Sequence, residues 1–167
     1  MLVVVRHAMP VVEPLMLPDR WVLSDEGRAA AGRLVFPQGA TLVASGEPKA
    51  IQTLEHAGPV ISDTRFNEVH RVEAFGDDFR VVRRAYVDGV DHPDWERRAE
   101  VVARFDEAIA SYPDRPLVVA SHGMAMTVWL TARIGLDDPG EFWADLRLPD
   151  ALAIDLDARS WSRLTPQ

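Results

Sequence analysis

The chain has no cysteine among its 167 residues. Disulfide frameworks and thiolate metal sites are therefore excluded. Long apolar runs are missing too, and no stretch approaches the roughly 20 apolar residues of a membrane span. The apolar opening has no basic leader and meets Arg6-His7 too soon for a signal peptide. By elimination, the expectation is a cytoplasmic protein that does not engage a membrane. A basic excess is also absent. The net charge of -8 at pH 7 argues against broad nucleic-acid binding, which needs a basic face. It leaves room for a small local cluster of cations around a phosphorylated ligand. There is no internal repeat, low-complexity tract or linker, and the length suits one domain over residues 1–167.

What is present begins with Leu2-Val3-Val4-Val5, an apolar run that is β-branched except at its start. A strand buried on both faces reads this way. It stops at Arg6-His7. Leu117-Val118-Val119-Ala120-Ser121 repeats the event and stops at His122-Gly123. Thr41-Leu42-Val43-Ala44-Ser45 predicts another strand, residues 60–61 a short edge strand, and 151–156 and 161–164 two closing strands. Helices are predicted over 24–35 with Ser24 as cap, 48–56 with Pro48 in the first turn, 78–88, and 95–111. In the last of these Val101, Phe105, Ala108 and Ile109 recur at helical spacing. A further helix over 124–134 has Gly135 past its end, and a short one covers 139–145. Residues 9–22 and 64–78 read as loops. The alternation of strand and helix predicts a three-layer α/β/α fold with a mainly parallel central sheet.

Open parallel sheets place their chemistry at the carboxyl ends of the strands. Parallel neighbours would bring His7 and His122 to one rim, and the strand before Ser45 would deliver Lys49 there. Those residues make a phosphate pocket. Arg6 can donate two parallel hydrogen bonds to phosphate oxygens, and Lys49 adds a point charge. His122 would lie at a helix N-terminus, whose N–H groups favour an anion. A neutral His7 can attack phosphorus, and the nearby cations disfavour its protonated form.

Four segments carry a resemblance: Arg6-His7-Ala8, Leu23-Ser24-Asp25-Glu26-Gly27, the run from Ser45 through Lys49-Ala50-Ile51-Gln52-Thr53, and Ser121-His122-Gly123. In order and spacing they resemble the histidine phosphatase superfamily, the phosphoglycerate-mutase-like enzymes, over roughly residues 2–135. The resemblance implies that His7 becomes phosphorylated. It implies that Arg6, Lys49, His122 and Gly123 hold the phosphoryl group, and that Glu68 donates the proton to the leaving oxygen. Glu73 or Asp77 stays open as the acid instead. The implied activity is that of a histidine acid phosphatase-like phosphomonoesterase that needs neither metal nor cofactor. Its substrate would be a phosphorylated small molecule or a phosphoprotein. The short chain favours hydrolysis over mutase-type phosphoryl transfer. A non-catalytic phosphate-binding module is the alternative from another class. Ala8 stands where the family has glycine, which adds a methyl group close to the phosphate site; Lys49 stands where it has arginine, and Glu13 where many relatives have asparagine. These departures leave full activity, an altered substrate range and weakened catalysis open. His70 and Arg71 read as exposed loop residues, Glu96-Arg97-Arg98 as a solvated helix face, and Trp129 as core. The oligomeric state has no signature in the chain.

Overall fold

The computed structural model describes residues 1–72 and 79–164. Its strands are β1 (Leu2–Arg6), β2 (Thr41–Ala44), β3 (Val60–Ser62), β4 (Leu117–Ser121), β5 (Asp150–Asp155) and β6 (Ser160–Arg163). They form one sheet in the order β3-β2-β4-β1-β5-β6. The pairs β1/β4, β2/β4 and β2/β3 are parallel, while β5 runs antiparallel to β1 and β6 to β5. Mainly parallel pairing matches the expectation, and the antiparallel pair is added at one side.

The alternation of side chains along the strands divides the core in two. Leu2, Val4, Val43, Leu117 and Val119 face one layer, with Phe105, Met126, Trp129 and Leu130 packed on them. Val3, Val5, Leu42, Ala44, Val118 and Ala120 face the other, with Ala50 and Leu54. The first layer holds α3 (Phe79–Asp88), α4 (Arg98–Ser111) and α5 (Gly123–Ile134); the second holds α2 (Pro48–Leu54), against which α1 (Asp25–Ala31) packs. A last helix, α6 (Pro139–Asp145), precedes β5. Trp129 is core, as expected. Among the described residues no helix is long and apolar enough to cross a membrane.

Local chemistry sets the helix ends. The Ser24 hydroxyl accepts the Gly27 N–H at 3.0 Å and caps α1. That helix stops at Ala31, short of the expected 35, because Leu34 turns away to bury itself against the second layer. Gly135, in the left-handed region at φ 72°, ends α5. The expected start of α4 at residue 95 is corrected to Arg98. Trp95 instead bridges to Arg71, stacks near Tyr86, and donates its indole N–H to the Val72 carbonyl at 3.1 Å.

Candidate active site

Parallel pairing of β1 and β4 places Arg6 beside Ser121, and the His7 N–H donates to the Ser121 carbonyl at 3.1 Å. The residues that follow the two strands are therefore side by side. The rings of His7 and His122 lie 5.1 Å apart, centroid to centroid. His7 Nδ1 is 2.7 Å from the Ala8 carbonyl, which can only accept, so Nδ1 carries the proton and Nε2 keeps its lone pair. Burial above all, then the charges of His122, Lys49 and Arg6, hold the His7 pKa well below its ordinary value against the opposing Ala8 carbonyl. Burial also lowers His122, to about 3, with Glu68 opposing and Lys49, Arg71 and Arg104 assisting. Both imidazoles are neutral at pH 7.

The chain after β2 supplies the next three groups. Ser45 Oγ lies 2.7 Å from His122 Nε2 and accepts the Glu47 N–H at 3.2 Å. Lys49 is only 5% exposed. Its ammonium donates to Glu47 Oε2 and to the Pro18 carbonyl, both at 2.6 Å. Glu47, 6% exposed, turns its other oxygen toward His122 Nε2 at 3.5 Å and accepts the Glu68 N–H there at 3.1 Å. Sequence reasoning passed over Glu47 because residues two apart on a helix do not face each other. Pro48 is the first helical residue, so Glu47 sits outside α2 as its cap. Its side chain is thereby free to fold back over Lys49. Glutamate just before a helix-starting proline was the available signal.

Glu68 reaches the start of α5. One carboxylate oxygen accepts the N–H groups of Val69 at 2.9 Å and Ala125 at 2.8 Å; the other accepts Met124 at 3.3 Å. The helix N-terminus expected to face a bound anion thus already holds a carboxylate. Burial opposes ionisation of Glu68, but the positive charge of a protonated His122, Arg71 and the donated N–H groups outweigh it and bring the pKa to about 2. With His122 neutral above about pH 3, Arg71 and the backbone donors sustain this carboxylate at pH 7. The segment is clamped by Arg104, whose guanidinium donates to the carbonyls of Arg65 at 2.6 Å and Asn67 at 2.8 Å and pairs with Glu96 at 2.7 Å. Arg104 carries no motif and was missed.

Arg6 donates through Nη1 to the Leu146 carbonyl at 2.7 Å. Its Nε is buried with no hydrogen-bond partner among the described residues. A Cβ on Gly123 would stand 3.3 Å from that Nε and 3.2 Å from the Trp143 indole nitrogen. Glycine at 123 therefore lets the guanidinium and the indole lie against the first turn of α5.

Several expectations need correction. The Ala8 methyl packs with Leu23 and Ala31 in a small apolar cluster, and the Ala8 N–H donates to Thr53 Oγ1 at 2.9 Å. It does not crowd the phosphate space. Glu13 is exposed, in the loop between β1 and α1. His70 is exposed as expected, but Arg71 is partly buried and acts on both Glu68 and His122. Glu96 is not a solvated helix residue; it precedes α4 and binds Arg104, because the helix starts later than expected. Glu73 and Asp77 lie outside the described residues.

A surface depression lined by Leu136, Asp138, Glu141, Phe142, Asp145 and Trp161 lies toward the C-terminal end of α5. Carboxylates and apolar groups line it, with no cation, so it does not suit phosphate.

No protein-family model matches the chain, and no curated protein matches it. Solved structures do. The native mycobacterial glucosyl-3-phosphoglycerate phosphatase Rv2419c is similar at 23% identity, over 97% of this chain and 95% of that one, with a TM-score of 0.66. TTHB049 from Thermus thermophilus is similar at 24% identity, over 98% of both chains, with a TM-score of 0.69. The chain has their fold. Bacillus stearothermophilus YhfR, at 18% identity over 97% of this chain and 94% of its own, shares it with a TM-score of 0.65. The phosphoglycerate-mutase-like architecture expected from the four segments is thus the one observed. The mycobacterial phosphatase has also been solved with inorganic phosphate and with VO3.

Proposed function

We propose that this protein hydrolyses phosphomonoesters through a phosphohistidine on His7, without a metal. The single observation that carries the reading is the pair of adjacent, neutral imidazoles, with the lone pair of His7 on Nε2. In the first half-reaction His7 Nε2 attacks phosphorus. Arg6, Lys49, the Gly123 N–H and His122 then hold the three phosphoryl oxygens, stabilising the charge that develops there. In the second half-reaction water takes the phosphoryl group from the imidazole. The unpartnered Nε of Arg6 is a donor in reserve for this task. A phosphorylated small molecule is the favoured substrate class. In support, the mycobacterial protein that shares the fold is a phosphatase of glucosyl-3-phosphoglycerate.

Turnover of an aryl phosphate between pH 5 and 8, with an acid-labile phosphoenzyme trapped by quenching, tests the reading. Phosphate binding without turnover would make the protein a binding module, a reading that the Glu47–Lys49 pair favours because it spends one of the two cations internally.

A further inference from the structure

Resting on that reading, we infer that Glu47 takes up a proton when a phosphoryl group binds and delivers it to the departing oxygen. The family resemblance gives that duty to Glu68, but the geometry opposes it. Both Glu68 oxygens accept backbone N–H groups, at 2.8 Å to 3.3 Å. Donors of this kind stabilise the ionised form only. Glu68 fixes the start of α5, and these donors hold it in its ionised form.

Glu47 is built differently. Its partners are one ammonium, one N–H from Glu68, and His122 Nε2 at 3.5 Å. The ammonium is Lys49, the cation expected to hold the phosphoryl group. An incoming phosphate dianion must share that cation with the carboxylate beside it. Two anions on one cation in a dry site raise the proton affinity of the carboxylate. The groups that face Glu47 are the Lys49 ammonium on α2, the neutral His122 ring after β4, and the backbone N–H of Glu68. Arg71 and Arg104 act further back through His122. The two imidazoles are neutral, Arg6 is offset by Glu68, and Lys49 is offset by Glu47. Proton uptake at Glu47 leaves Lys49 free to face the phosphoryl group.

The same proton then completes the chemistry. The His7 Nε2 lone pair forms the N–P bond, and the P–O ester bond breaks with its electron pair on oxygen. That oxygen takes the Glu47 proton and leaves as the alcohol. Water next attacks phosphorus and gives its proton to the Glu47 carboxylate. The N–P electrons return to His7, and orthophosphate departs.

Leaving groups decide the assignment, since nitrophenolate departs without a proton and an alkoxide does not. Glu47→Gln is expected to lower kcat for glycerol phosphate about a hundredfold, and for p-nitrophenyl phosphate by less than about tenfold. Glu68→Gln is expected to lower both equally. An unchanged ratio of the two esters in Glu47→Gln, or a selective loss in Glu68→Gln, overturns the inference. If Glu47→Gln does not fold, Glu47→Asp serves, with a smaller selective loss expected and an unchanged ratio as the contrary result. Proton uptake is read separately, by calorimetry of inorganic phosphate binding in buffers of different ionisation enthalpy. Wild type is expected to take up close to one proton more than Glu47→Gln; equal uptake overturns the inference. This second measurement needs no turnover. Failure of wild type to hydrolyse either ester would therefore sink the phosphatase reading while leaving Glu47 to be judged on binding alone.

Discussion

His7 and His122 face each other with their ring planes at 56° and centroids 5.1 Å apart, although 114 positions of chain lie between them. The closeness is a direct product of register, since Arg6 pairs with Ser121 across two adjacent parallel strands. The proximity of the two rings makes the following outcomes expected.

His7→Ala should remove turnover by at least about a thousandfold and abolish the acid-labile phosphoenzyme. Mass spectrometry after a rapid quench checks this. A phosphoenzyme that survives in the variant would move the nucleophile elsewhere.

Stability should fall on the acid side. The depressed pKa values of the two histidines mean that the unfolded chain binds more protons than the folded one below about 6.5. Stability therefore rises with pH from about 3, where His122 titrates in the fold, to about 6.5, and then levels off. Each histidine contributes a slope of up to about 1.4 kcal/mol per pH unit. Glu68 adds a loss between about 4.5 and about 2, because its carboxyl is depressed and its contribution is present only above that window. Urea unfolding from pH 4 to 8 measures the slope, and His122→Asn should flatten it.

Lys49→Ala should raise the dissociation constant for orthovanadate about tenfold or more. It should also cost about 3–5 kcal/mol of stability, since it leaves the Glu47 carboxylate buried and unpaired. Adding Glu47→Gln should return most of the stability but not the vanadate affinity. Unchanged affinity in Lys49→Ala would place that ammonium outside the phosphate space.

Gly123→Ala should fold and yet lose about tenfold to a hundredfold in kcat/KM. The new methyl group meets the Arg6 guanidinium at 3.3 Å and the Trp143 indole at 3.2 Å, and the displaced guanidinium misses its oxygen. Trp143→Ala in the same background should restore part of the rate by clearing one of the two contacts.

Arg104→Met should reduce activity without touching the histidines. It removes the donors to the carbonyls of Arg65 and Asn67 and the partner of Glu96. A stability loss of about 3 kcal/mol is expected, together with a lower kcat. Thermal unfolding and steady-state kinetics separate the two effects.

The strands and their histidines were legible because buried parallel strands are nearly continuous apolar runs, and Leu2-Val3-Val4-Val5 and the run before Ser121 are short runs of this kind, rich in β-branched valine. The helices were legible in kind, but their ends were set by tertiary events. Leu34 left α1 for the core, and Trp95 was claimed by Arg71, Tyr86 and Val72 before α4 began. Lys49 could be read from its motif, but its partner could not, because a proline moved Glu47 off the helix and onto the ammonium. The direction of the Ala8 methyl after β1 is not written in one dimension, and only the folded chain shows it packed with Leu23 and Ala31.

The placement of β4 and β1 in the interior of the sheet has a consequence for how the protein would fail. Each has a hydrogen-bonded neighbour on both sides, so neither can fray from an edge. The spacing between the imidazoles is lost only when the whole sheet parts. Heat should therefore end any turnover at the same temperature at which the molecule melts.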